Sequence, residues 1–223
     1  MCSVTPVIFA KSGDTITFDC LDASGGQITA ESKDLATLRF SEFNKVSGPV
    51  HIEGASPGDT LQVDILDVQP GEFGWSAILS GFGLLADEFP DVELKIWKLV
   101  KNAPGDGEGY GWAWFDEKKG IRIPLKPFLG EIGVAPAEKG QYSTIPPYVT
   151  GGNIDLKHIT AGTTVFLPVK VDGALFSVGV SNLSLRSSHY FQSAYRTVMQ
   201  LKVMEVSSSE RDRVHLLTMG ATT

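Results

Sequence analysis

PGDTLQV, residues 57–63, joins a turn to a strand within seven residues. Gly58 supplies a positive φ, and Asp59 can bond the nearby backbone, which together make a turn. After it, Leu61, Val63 and Ile65 alternate with Gln62 and Asp64. Period-two alternation marks a half-buried strand. The arrangement recurs in SGDTITF (12–18) and AGTTVFL (161–167). In the former, Ile16, Phe18 and Cys20 face one way, and Thr15, Thr17 and Asp19 the other. In the latter, Val165, Leu167 and Val169 alternate with Phe166 and Pro168. Pro168 has no N–H, so that strand ends there or lies at an edge. The unequal intervals exclude a solenoid. Two readings are open: a common turn-into-strand solution, or two related halves of a β-sandwich.

The surrounding sequence is of the same kind. The first 180 residues read as β. The 24 Gly and 12 Pro of the 223 residues call for many turns. Helical signals are few. Lys33–Leu38 can make a short turn of helix. Phe191, Ala194, Val198 and Leu201 recur at three- and four-residue steps, so residues 188–205 taken alone read as an amphipathic helix.

Composition removes several classes of function. The formal net charge is −7 with no basic run, against a phosphate-tracking nucleic-acid binder. No stretch approaches 18 apolar residues, so no membrane span is expected. MCSVTPVIFA (1–10) has no positive start and no long apolar core, so no secretory signal is expected. Cys2 and Cys20 cannot build a disulfide scaffold or a four-cysteine zinc site, and a reducing, cytoplasmic location is the expectation.

The common catalytic signatures are absent. There is no G-x-S-x-G, H-E-x-x-H, C-x-x-C, Walker loop or full G-x-G-x-x-G. Cys20 ends an apolar strand face and reads as a buried structural thiol. Two polar, glycine-rich segments stand out. Asp19–Ile28 lies at a strand end, where glycines let backbone approach a ligand; the alternative is an Asx turn built on Asp22. Thr150–Leu156, TGGNIDL, is either a plain loop or a place that presents an amide and a carboxylate to a metal or an amide substrate.

Five runs carry a resemblance: TFDCLDASGGQI (17–28), GPVHIEGASPGDTLQVDILDV (48–68), GWSAILSGFGLLADEFP (74–90), IRIPLKPFLG (121–130) and TGGNIDLKHITAGTTVFLPVKVDGALFSVG (150–179). In order and spacing they resemble the acetamidase/formamidase family over about residues 8–179. The resemblance implies an all-β fold, a jelly-roll-like sandwich of two related halves over residues 1–179. It implies hydrolysis of small linear amides of the formamide or acetamide type to ammonia and carboxylate. A divalent metal ion, zinc or calcium, and a homo-oligomer are implied with it. Carried over residue by residue, Asp22, Asn153 and Asp155 are the implied catalytic residues. Gln27 and Gly152 are the implied substrate holders, and Asp22 with Asp155 an incomplete metal set. Glu131 stands where the family has a small or apolar residue, and either perturbs the site or sits exposed.

The likeness breaks after Gly179. The family continues with Asp-x-His and Gln-Gly-Asp-Gly, but here the chain reads Val180-Ser181-Asn182. Val180-Ser181 permits the codons of a splice donor, and a shifted frame through Tyr195–Glu205 permits D-x-H-A-T-Q-G-D-G. Residues 180–223 are therefore expected to be a non-family tail, a retained intron followed by a frame change. The tail is expected to pack poorly, with its helical pattern an accident, and the chain to be impaired. The rival expectation is a non-catalytic β-sandwich binding protein or inactive remnant.

Overall fold

The computed structural model describes residues 5–101, 110–182, 192–193, 195–204 and 220–221. The described residues are all-β apart from one turn of 3-10 helix, Phe40–Glu42. The first eight strands are β1 (Ile8–Ala10), β2 (Thr15–Cys20), β3 (Val46–Ile52), β4 (Thr60–Pro70), β5 (Phe73–Ile78), β6 (Glu93–Val100), β7 (Trp112–Asp116) and β8 (Ile121–Pro124). There follow β9 (Phe128–Gly133), β10 (Pro147–Tyr148), β11 (Gly151–Asn153), β12 (Thr163–Pro168), β13 (Phe176–Asn182), β14 (Gln192–Ser193), β15 (Tyr195–Met204) and β16 (Gly220–Ala221).

The three recurrent turns are alike in detail. Lys11 N–H donates to Asp14 Oδ2 at 2.8 Å and Asp14 N–H to Lys11 O at 3.0 Å. Ser56 and Asp59 repeat the pair at 2.8 and 3.0 Å. At the third turn Thr163 donates its N–H and its hydroxyl to Thr160 O. Gly13, Gly58 and Gly162 hold φ of +97°, +104° and +82°, the left-handed region the third turn position needs. Each of these glycines also donates its N–H across the sheet, to Leu201 O, Val169 O and Ile65 O respectively. The turns thus feed β2, β4 and β12 into one five-stranded sheet, ordered β16-β12-β4-β15-β2. β12 ends at Pro168, as its missing N–H requires.

The second sheet has eleven strands, ordered β10-β11-β9-β13-β14-β5-β6-β7-β8, with β3 beside β13 and β1 beside β3. The main core lies between the two sheets. Ile16, Phe18, Leu61, Val63, Ile65, Val165 and Leu167 from one meet Val50, Ile52, Ile132, Phe176 and Val178 from the other. Burying each such side chain stabilises by about 1.5–3 kcal/mol before entropy is counted. Smaller clusters around Trp97 and Trp75 sit under the β5–β8 extension.

Two expectations are corrected. Lys33–Leu38 is not helical; it contains a single hydrogen-bonded turn, Leu38 N–H to Leu35 O at 3.2 Å. The tail does not pack poorly where it is described. Residues 195–204 form β15, a strand between β2 and β4, with Met199 and Leu201 fully buried. The physical reason is the second periodicity in the segment: Met199, Leu201 and Val203 alternate with Gln200 and Lys202. Only that alternation supplies a buried face between two strands that both need ladder partners. Lys202 Nζ adds an ion pair to Asp64 on β4 at 2.9 Å. Residues 183–191 and 205–219 lie outside the described residues.

Candidate functional site

The G-G-N run owes its glycines to close backbone approach. β11 pairs with β9 so that Gly151 faces Gly133, Gly152 faces Ile132 and Asn153 faces Glu131. A Cβ on Gly151 would lie 2.8 Å from Gly133 Cα, and one on Gly133 would lie 2.8 Å from Gly152 N. Gly151 and Gly152 also hold φ of +96° and +109°. Side chains at either place would push the strands apart. After Asn153 the chain folds back over β9. Ile154 N–H and Asp155 N–H both donate to Gly130 O, at 2.9 and 3.0 Å, and Asp155 adopts φ +50°. Asn153 Nδ2 donates to Ile145 O at 2.8 Å, which fixes the plane of its amide.

Glu131 sits at the centre of this arrangement. Its register partners are Asn153 on β11 and Gly179 on β13. It is only 1% exposed. Of its two alternatives, the exposed one is thereby excluded. Neither carboxyl oxygen has a hydrogen-bond partner among the described residues. Burial, and then the charge of Asp155, push the Glu131 carboxyl up to about 8. The only sign of it in the sequence is one acid inside the apolar run FLGEIGVA (128–135).

The Asp22 loop is built as an Asx turn. Asp22 Oδ1 accepts from Ser24 N–H at 2.6 Å and from Ser24 Oγ at 2.5 Å, and Ser24 Oγ in turn accepts from Ile28 N–H at 3.0 Å. Gln27 is fully engaged in the same loop. Its Nε2 donates to Ser24 O and Arg39 O, and its Oε1 accepts from Arg39 N–H. The loop reaches the centre indirectly. Ala23 O accepts from Asn44 N–H, and the next residue's carbonyl, Lys45 O, lies 3.0 Å from where a Cβ on Gly179 would stand. The structure therefore gathers Asn153, Asp155, Glu131 and Gly179, and holds Asp22 and Gln27 in an adjoining loop.

Among the described residues no three His, Cys, Asp or Glu side chains form a group that could hold a metal ion. Among these residues the implied set of Asp22 and Asp155 gains no third ligand. The charge of Asp155 is felt at the unpartnered Glu131 carboxyl, but among the described residues no ligand group forms around the two. Cys20 is buried and weakly engaged with Val178 O, in keeping with a structural thiol. No helix of the described residues is long and apolar enough to cross a membrane.

Known proteins resemble this chain in sequence and in fold. The sequence profile of the Acetamidase/Formamidase family matches residues 2–141 and 137–184. The chain is 30% identical over 223 aligned residues to an acetamidase of Mycolicibacterium smegmatis, covering 76% of this chain and 55% of that protein. It is 27% identical over 222 aligned residues to a formamidase of Methylophilus methylotrophus, covering 78% and 54%. The crystal structure of an acetamidase from Bacillus halodurans superposes with a TM-score of 0.85 at 29% identity, covering 98% of this chain and 70% of that one. The chain spans about half the length of the curated relatives it matches. With the profile running through both glycine-rich segments and the strands that carry them, the chain belongs to the acetamidase/formamidase family.

Proposed function

We propose that this chain carries the site of an amidase for small linear amides such as formamide or acetamide, releasing ammonia and a carboxylate. The observation that carries the reading is the family match through TGGNIDL, whose Asn153 and Asp155 stand beside a buried acid. Water adds to the amide carbonyl, and the tetrahedral adduct collapses with loss of ammonia. Asp155 takes the proton of the attacking water and returns it to the departing nitrogen, which leaves as ammonia. Asn153, its amide plane fixed by Ile145, orients the substrate's amide. Gly152 lets the substrate approach the backbone. Asp22 and Gln27 act through their hydrogen-bonded loop as positioning residues. A divalent ion, when bound, would be held through Asp155 and would polarise the carbonyl.

Within this reading the chain turns over slowly. Val180 and Asn182 stand where the family has Asp and His, and residues 180–223 are proposed to be a tail coded through a retained intron and a frame change. The same replacement favours the second reading, a non-catalytic remnant that keeps the fold. Ammonia release from formamide and acetamide tests both. A version with Asp-x-His restored after Gly179 should release ammonia faster than the chain as it stands. Silence of the restored version on all short amides overturns the amidase reading. Full turnover by the present chain overturns the impairment. The acidic charge and the buried Cys20 thiol favour a cytoplasmic protein that binds no nucleic acid. Assembly as a homo-oligomer is proposed from the resemblance alone.

A further inference from the structure

One glycine beside Asn153 differs from those around it. A Cβ on Gly133, Gly151 or Gly179 would stand within 2.8 Å of another atom, so packing alone forbids a side chain there. At Gly152 a φ of +109° requires glycine, yet the place of the Cβ is open. Outside residues 151–153 the nearest atoms to that point are Pro146 O at 3.6 Å, Pro147 Cα at 3.7 Å and Tyr148 Cδ2 at 3.8 Å. These are ordinary contact distances, so the notch accepts one carbon without displacing anything. Its walls are held in place. β10 pairs Pro147 with Gly152 and Tyr148 with Gly151. Tyr142 meets Tyr148 edge-on, with ring centroids 5.6 Å apart, and its hydroxyl donates to Glu138 O at 3.0 Å. Two acceptors belong to the same stretch of chain. Pro146 O borders the notch, and Asn153 commits its Nδ2 to Ile145 O, which leaves Oδ1 without a partner among the described residues.

A space for one carbon beside free acceptors complements a primary amide, which brings two N–H donors and a short carbon tail. We propose that the notch over Gly152 takes the substituent on the amide carbonyl, and that Tyr148 is the specificity-determining residue that limits its length. The hydrogen of formamide and the methyl of acetamide fit the space. Each further carbon presses on a ring that Tyr142 holds from the other side. The identity of the ligand rests on the amidase reading, whereas the size limit rests on the walls of the notch.

The test is a ligand-observed NMR titration of the full chain with formamide, acetamide, propionamide and butyramide, which reads binding and any conversion to carboxylate in one sample. Tyr148→Phe, Tyr148→Ala and Tyr142→Ala are titrated beside it, with a thermal melt of each to establish that it is folded. The wild-type chain should bind acetamide at least about tenfold more tightly than butyramide, and Tyr148→Phe, which keeps the ring, should match it. In Tyr148→Ala the difference should fall below about threefold. Tyr142→Ala, which removes the support behind the ring, should narrow it in the same direction and decides the matter if Tyr148→Ala does not fold. Wild-type binding without a size preference overturns the proposal, as does failure to bind any of the four amides. A folded Tyr148→Ala that keeps the wild-type preference overturns it too. The two readings fail separately. A Tyr148-dependent size preference with no conversion, in this chain and in the version with Asp-x-His restored, removes the amidase and keeps the notch. Conversion with a size preference indifferent to Tyr148 removes the notch and keeps the amidase.

Discussion

Glu131 Oε2 occupies the space above Gly179: a Cβ built on that glycine would stand 2.7 Å from the oxygen and 2.9 Å from Val46 Cγ1. Gly179→Ala should therefore destabilise the chain by about 1–3 kcal/mol, the cost of overpacking. In a Glu131→Ala background the same substitution should cost less, because the nearest of the three crowding groups has gone. A double-mutant cycle by urea denaturation reads the coupling. Equal costs in both backgrounds would mean that the two side chains do not meet.

The same acid makes stability depend on pH. The folded chain holds the Glu131 carboxyl up to about 8, against an ordinary 4.5. The folded state thus keeps a proton that the unfolded state has lost between those values. Its contribution is fully present below about 4.5, and falls by about 1.4 kcal/mol per pH unit until it is gone above about 8. With a chelator present, urea midpoints measured from pH 5 to 8 should decline for the wild type. For Glu131→Gln this part of the decline should vanish.

A glycine of the site and a glycine of a strand turn differ in what they tolerate. Gly151→Ala should unfold the chain or cost more than about 3 kcal/mol, because positive φ and a backbone collision act together. Gly13→Ala meets only the first penalty, since nothing lies within 4 Å of its Cβ position, and should cost about 1 kcal/mol. Thermal melts of the two variants make the comparison.

β15 can be checked at Leu201, which is fully buried between the sheets. Leu201→Ala should cost about 2–5 kcal/mol, the ordinary cost of a buried cavity. A change below about 0.5 kcal/mol would return residues 195–204 to a loosely attached tail.

Gln27 divides a structural role from a substrate-holding one. Its amide bridges Ser24 and Arg39 with three hydrogen bonds. Gln27→Ala should lower stability by about 1–2 kcal/mol. With an amide substrate, any loss of activity should recover when the fold is stabilised by temperature or osmolyte. A KM rise that persists in the fully folded variant would place Gln27 against the substrate.

The strands with clean alternation, β2, β4 and β12, are legible from residues alone, and so are the turns before them. Each has a single buried face and a turn residue that admits few alternatives. β15 is harder because two periods overlap in it. Val198 and Leu201 fit a helical stripe with Phe191 and Ala194, whereas Met199 and Leu201 fit a strand, and only the neighbouring β2 and β4 choose between them. At the site, Asn153 and Asp155 stand out by their glycines. Asp22 and Gln27 stand out for the same reason but are spent largely on their own loop. Glu131 is the reverse case. Its flanks, Gly130 and Ile132, say nothing about a buried acid, and its position becomes telling only once β11 and β13 lie beside it.

β2 has a single neighbour in its sheet among the described residues, and that neighbour is β15. The contact between them spans the chain: Gln200 Nε2 reaches Gly13 O across 187 positions. On a ribosome, β2 emerges long before β15 and waits for the strand that will flank it. During that interval TITFDC is an unclaimed edge, and so is the side of β4 that β15 later covers. Nascent chains arrested before residue 195 should accordingly be the species that chaperones bind and that aggregates in vitro.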